Sequence, residues 1–206
     1  QVGETATLFN GKGGEYEVTL TEVAKKSAAV EVNAFNADNR TPPFKALIGQ
    51  VMSKGDRMDY AIQKATELGA HTFQLLTSER CEMRLKYDRD QKKIDHWQGV
   101  AIAACEQSGL NIVPNILAPL ALEEWLKNCD ADLKLVMALS DGKVNFPSPL
   151  PENIAILIGP EGDFSPEEIN FALQNGFRAI SLGKQRLRTE TAAVVATVVT
   201  STVNSL

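Results

Sequence analysis

Apolar positions follow two different periods along this chain, and the switch between them divides it. Up to about residue 35 the pattern is that of strands and a tight turn. Ala6-Thr7-Leu8-Phe9 and Tyr16-Glu17-Val18-Thr19-Leu20 flank Asn10-Gly11-Lys12-Gly13-Gly14, a hairpin signal, and Ala28 to Val32 reads as a third strand. Asn36 to Pro43 is polar and carries prolines, the composition of a linker. From there short apolar runs alternate with helical stripes. Phe44–Gln50 reads as a buried strand and 54–68 as a helix, with Met58, Ile62, Ala65 and Leu68 on one face and Gly69 closing it. Thr72–Thr77 is the next strand. Asp90–Ser108 is a helix with Ile94, Trp97, Ala101 and Cys105 along its stripe, which makes Trp97 a core residue rather than a platform for a base. Asn111–Leu117 reads as a short strand, Leu120–Lys127 as a helix and Leu133–Leu139 as an apolar strand ending near Ser140-Asp141-Gly142.

The last quarter repeats one grammar twice: an apolar run, a glycine, a tight loop, a helix start. Ile154–Ile158 is apolar without alternation, as a strand buried on both faces should be. It runs into Gly159-Pro160-Glu161-Gly162. Ser165-Pro166-Glu167-Glu168 then has the residues of a capped helix start, with Ser165 as cap, Pro166 at the first helical position and Glu168 closing a capping box. The second block is Ile180-Ser181-Leu182-Gly183-Lys184-Gln185-Arg186-Leu187-Arg188-Thr189-Glu190-Thr191. A helix follows from about Glu190, with Ala192, Val195, Val199 and Val203 at helical spacing; its length rules against a strand despite the valines. Two such loops at the carboxyl ends of strands form a small-molecule crevice in an open α/β sheet. Strands alternating with helices predict an α/β fold with a mostly parallel sheet.

At 206 residues, 44% hydrophobic and 23% charged, the chain has the makings of an ordinary globular core. No apolar run reaches membrane-spanning length and no signal peptide is visible. Cys81, Cys105 and Cys129 are odd in number and far apart, which suggests neither a zinc site nor a disulfide framework and fits a reducing, cytoplasmic setting. The net charge of −5 argues mildly against a nucleic-acid partner, but charge is local. Basic residues gather at Lys54 and Arg57, at Arg80, Arg84, Lys86, Arg89, Lys92 and Lys93, and at Lys184, Arg186 and Arg188. The middle group reads equally as a solvated helix face or an RNA contact. His71 and His96 have no metal or triad partner near them in sequence and read as structural or surface residues. Gly11-Lys12-Gly13-Gly14 lacks the ending of a phosphate loop and no helix follows, so it is a turn.

Leu157-Ile158-Gly159-Pro160-Glu161-Gly162, followed by Leu182-Gly183, Arg186-Leu187-Arg188-Thr189-Glu190-Thr191-Ala192, resembles the RsmE family of SPOUT-class RNA methyltransferases. Weaker matches run through Lys54–Gly69 and Glu106–Pro114, so the resemblance covers the chain from about Pro43 onward. It implies S-adenosylmethionine (SAM) as cofactor, N3 of a uridine in 16S rRNA of the small ribosomal subunit as target, a homodimer, and a C-terminal trefoil knot around the cofactor pocket. It also implies that residues 1–38 are part of a small PUA-like β-barrel that holds RNA, with the methyltransferase domain spanning 39–206; the chain begins at Gln1 in what reads as mid-domain. The cofactor residues it implies are Leu157, Gly159, Pro160, Glu161, Gly162, Leu182, Gly183, Leu187, Thr191 and Ala192. In Glu106-Gln107-Ser108-Gly109-Leu110-Asn111 the family's arginine is replaced by Leu110, which removes one cation.

Uridine N3 carries a proton that must leave, and its anion places charge on the flanking carbonyl oxygens. An arginine beside it favours that anion. Arg188 is the candidate, with Arg186 as the alternative. Glu161 and Glu190 can each accept the proton, brace an arginine or cap a helix. No Ser-His-Asp or Cys-His arrangement and no metal site is visible. Two rivals stand beside this reading: a ribose 2′-O-methyltransferase of the same class, and a non-catalytic RNA-binding factor that kept the fold.

Overall fold

The computed structural model describes residues 1–42, 44–83, 87–138, 147, 149–181, 183 and 185–203, with the backbone alone for 87–90 and 202–203. Three strands come first: β1 (Thr5–Leu8), β2 (Glu15–Val23) and β3 (Ala28–Asn36), paired antiparallel in the order β1-β2-β3. Within these strands only Val18 is buried; Val23, Val30, Val32 and Phe35 are exposed. The third strand runs on to Asn36, where the sequence suggests a linker has begun.

The remaining elements are β4 (Lys45–Val51), α1 (Arg57–Glu67), β5 (Ala70–Thr77), α2 (Tyr87–Ser108), β6 (Asn115–Ala121), α3 (Leu122–Asn128), β7 (Leu133–Met137), β8 (Asn153–Ile158), α4 (Pro166–Gln174), β9 (Arg178–Ile180) and α5 (Thr189–Val203). The six strands form one sheet in the order β6-β5-β4-β8-β7-β9, and every neighbouring pair is parallel. Central strands β4 and β8 are buried almost throughout, which explains their lack of alternation. One face is covered by α1, α2 and α5, the other by α3 and α4. Gly49 and Gln50 at the end of β4 point to opposite faces. The Trp125 ring of α3 lies so close over Gly49 that a Cβ there would stand 2.4 Å from it.

Helix α1 buries Met58, Ala61, Ile62, Ala65 and Thr66, the three-four spacing of a single stripe. Its Asp59 holds α2: Trp97 Nε1 donates to Asp59 Oδ1 at 3.0 Å, and His96 Nε2 lies 2.7 Å from Oδ2. Trp97 is a core residue and His96 a surface one, as their sequence context indicates.

Two elements depart from expectation. The strand expected over Asn111–Leu117 lies at Asn115–Ala121, because residues 111–113 are taken by the turn between β1 and β2. Gly13 N donates to Asn111 O at 3.0 Å, Val113 N donates to Gly11 O at 3.0 Å, and Lys12 bridges Ile112. Asn111 Nδ2 also donates to Asp38 O, and Arg40 joins Gly109 O to the Glu15 carboxylate. Leu110 within this seam is buried. In α5 the buried residues, among the described side chains, are Thr189 at its start and then Ala193, Ala196, Thr197 and Thr200, one step round from the expected stripe. Small side chains let the helix approach α1, β4 and β8 closely, and the Thr197 and Thr200 hydroxyls bond to carbonyls four residues back. The end of the strand expected to reach Leu139 and Ser140-Asp141-Gly142, Pro43 of the linker, and the side chain of Val203 lie outside the described residues.

Candidate functional site

Strands β8, β7 and β9 lie side by side and parallel, so their carboxyl ends, Ile158, Met137 and Ile180, open on the same edge of the sheet. The loops that leave β8 and β9 wall a cavity of about 610 Å³ there. That is within the range of ~300–1,000 Å³ that small-molecule sites occupy.

The first loop is held at every turn. Asp163 N donates to Pro160 O at 3.0 Å, closing a turn over Glu161 and Gly162. Asp163 itself takes a left-handed φ of +61°, which its short side chain eases by accepting from Phe164 N at 2.8 Å. Ser165 then caps α4: its hydroxyl accepts from Glu168 N, and the Glu168 carboxylate accepts from Ser165 N, with Pro166 at the first helical position. The other Glu168 oxygen accepts from Glu79 N, tying in the loop after β5. From that same loop Arg80 donates to Gly162 O at 2.8 Å. Glu161 pairs with Arg57 at 2.6 Å. At Gly159 a Cβ would meet the buried Phe164 ring at 3.0 Å, so this glycine is needed for packing within the loop as well as for the cavity wall.

The second loop needs a true glycine at Gly183, whose φ of +123° is closed to ordinary side chains. Ser181 Oγ donates to Gly183 O at 2.8 Å. The loop ends at Thr189, the first residue of α5, whose hydroxyl donates to Gly159 O at 2.6 Å and so joins the two loops.

Of the residues singled out in the sequence, Gly159, Pro160, Glu161, Gly162, Gly183, Arg186, Leu187, Arg188, Glu190 and Ala192 line this cavity. Leu157 is buried in the sheet and its neighbour Ile158 takes the wall position, a consequence of strand alternation. Thr191 is half-buried and off the wall. Leu182 and Lys184 lie outside the described residues, as do Arg84, Lys86 and the side chain of Arg89 in the middle basic group.

Arg186 and Arg188 are exposed, and among the described residues neither has an ion-pair partner. Oxygen Oε2 of Glu190 is buried and, among the described residues, accepts no hydrogen bond. Sequence reasoning did not place Arg57, Met137 or Ala138 here, whereas Asp163 and Thr189 lie within the two loops it singled out. The signal for Met137 and Ala138 was the apolar run of β7 ending level with the other two strands; Arg57 comes from α1 and had no local signal.

Comparison with known proteins agrees with this geometry. The RNA methyltransferase domain family matches residues 40–201. A protein of Buchnera aphidicola (strain Sg) named ribosomal RNA small subunit methyltransferase E is 34% identical over 194 residues, covering 92% of this chain and 78% of its own. This chain belongs to the ribosomal RNA small subunit methyltransferase E family. Two solved structures carry the likeness into three dimensions. A member of that family from Neisseria gonorrhoeae, bound to S-adenosyl methionine, superposes with a TM-score of 0.89 at 35% identity, over 98% of this chain and 84% of that one. A methyltransferase of Legionella pneumophila with the cofactor SAM bound gives 0.93 at 37% identity, again over 98% and 84%. The two loops that carry the sequence resemblance are the two that wall the cavity.

Proposed function

We propose that this protein transfers a methyl group from SAM to N3 of a uridine in the 16S rRNA of the small ribosomal subunit. The observation that carries the reading is the meeting of both motif loops on one cavity, in a chain whose relatives of the same fold hold SAM. The cavity suits such a ligand. Ile158, Ile180, Leu187 and Ala192 offer apolar wall, the Gly159 and Gly183 loops bring backbone to the surface, and the orphaned Glu190 oxygen is a buried acceptor aimed at no protein donor among the described residues. When bound, the sulfonium of SAM supplies the electrophilic methyl group.

The chain's own task is to prepare N3. Arg188, with Arg186 beside it, lies exposed at the cavity with no ion-pair partner among the described residues, and there it stabilises the uracil anion as the N3 proton leaves. Glu161 is paired with Arg57, whereas the Glu190 carboxylate has no ion-pair partner among the described residues, so Glu190 takes the proton at N3.

The reading extends to the chain's path and partners. A C-terminal trefoil knot is supported by β9 lying beyond β7 while α5 returns to β4 and β8. Residues 1–38 act as part of a PUA-like RNA-holding unit, the methyltransferase domain spans 39–206, and two copies form a homodimer in the cytoplasm. Among the described residues no helix is long and apolar enough to cross a membrane.

The test incubates the protein with SAM and unmodified small-subunit particles and identifies the methylated nucleoside by mass spectrometry. N3-methyluridine is expected. A ribose methyl would assign the chain a different reaction, and absence of SAM binding in calorimetry would favour a non-catalytic RNA-binding factor.

A further inference from the structure

Gln50 is 1% exposed, stands at the end of the central strand, and takes no part in the cavity wall. In the sheet it is level with Ile158, the last residue of β8. A carboxamide buried in an apolar sheet weakens a fold unless its atoms are paired, and Gln50 Oε1 is unpaired among the described residues. The other half of the amide is fully used. Nε2 donates to Val51 O at 2.9 Å and to Thr189 Oγ1 at 2.9 Å.

This arrangement has only one polarity. Turning the amide over would set Oε1 against the Val51 carbonyl, acceptor against acceptor, so the Nε2 protons must face Val51 and Thr189. The Thr189 hydroxyl therefore accepts from Gln50, and its single proton is committed to Gly159 O, 2.6 Å away. Pro160 has no N–H, so the Gly159–Pro160 peptide has no polar group but that carbonyl. One side chain, 139 residues from Thr189 in sequence, thus fixes the entry of α5 and the exit of β8 relative to each other. Those two points are the ends of the loops that form the cavity.

We infer that Gln50 is a positioning residue for the cofactor site: acting through Thr189, it holds the two SAM-binding loops in register, at the expense of an orphaned oxygen in the core. This inference rests on the SAM reading above. It separates binding from stability. Leucine at position 50 would remove the orphan and fill similar space, so the fold should not suffer, while the relay to Thr189 would be lost.

The experiment compares wild type with Gln50→Leu, Thr189→Val, Thr189→Ser and the Gln50→Leu/Thr189→Val double variant. SAM affinity is read by calorimetry, and stability by the urea midpoint. Gln50→Leu should weaken SAM binding about tenfold with a urea midpoint no lower than wild type. Thr189→Val should weaken binding comparably, and Thr189→Ser should restore most of that loss. The double variant should be no weaker than the poorer single one, since both break the same chain. Should Gln50→Leu fold poorly, the valine and serine variants at Thr189 carry the same comparison. A wild-type protein that binds no SAM overturns the cofactor reading and this inference together. A wild type that binds, with Gln50→Leu binding equally or the two losses simply adding, overturns this inference alone.

Discussion

Arg57 Nη1 and Glu161 Oε1 meet at 2.6 Å across the mouth of the cavity, joining the start of α1 to the loop after β8. The pair is partly exposed, 44% and 30%. Such a pair contributes at most about 1 kcal/mol to stability. Its interest is electrostatic, because Glu161 neutralises one cation on a cavity wall that also carries Arg186 and Arg188.

Arg57→Ala should therefore leave the fold intact and weaken RNA binding. Freeing the Glu161 carboxylate makes the cavity wall one charge more negative, which should reduce the slope of log affinity against log salt by about one. Binding to a small-subunit rRNA fragment, titrated across ionic strength, reads both. An unchanged slope would place Arg57 outside the RNA-contacting rim.

Arg188→Ala should lower turnover about a hundredfold while SAM affinity stays within about twofold of wild type. On the proposed mechanism the charge it stabilises appears only as N3 ionises, so its benefit falls on the transition state. Steady-state kinetics beside calorimetry separates the two. A loss confined to SAM affinity would make Arg188 a wall residue of the cofactor pocket.

Gly159→Ala should destabilise the chain by about 1–3 kcal/mol through overpacking. Its new Cβ meets the Phe164 ring at 3.0 Å. Phe164→Leu in the same chain should recover part of that loss, making the two changes non-additive in urea denaturation. Strict additivity would show that the cost lies in the loop backbone rather than in the ring.

Burial, with a smaller contribution from Glu106, pushes the Cys105 thiol up from 9 to about 11, and burial raises Cys129 in the same direction. The folded chain therefore keeps its proton where the unfolded chain has lost it. Stability contributed by Cys105 is full below pH 9 and falls as pH rises from 9 to about 11. Cys105→Ala should flatten, without abolishing, the loss of stability over that window, as read from denaturant midpoints. Rapid modification of Cys105 by a thiol reagent in the folded protein at pH 8 would contradict its protection.

The two loops were legible because their chemistry is local. Ser165, Pro166 and Glu168 form a cap within four residues, and the glycine of a tight turn announces itself. Strand order, and the identity of Gln50 as a partner of Thr189, were not legible, since hydrogen bonds across 139 residues leave no periodic trace. Leu157 and Ile158 differ by one step of a strand whose residues are all apolar, so composition could not say which faces the cavity. The misplacement of β6 has the same origin. Asn111–Val113 does pair as extended chain, but with the turn of the small sheet rather than with β5.

That seam is written in main-chain atoms. Gly13 to Asn111 and Val113 to Gly11 are amide-to-carbonyl bonds, and the side chains of Asn111 and Arg40 donate to carbonyls too, those of Asp38 and Gly109, with Arg40 also reaching the Glu15 carboxylate. A joint of this kind does not register the identity of the residue that passes through it, provided the backbone can follow. Leucine at position 110 lies buried in this seam, and its side chain supplies none of these hydrogen bonds.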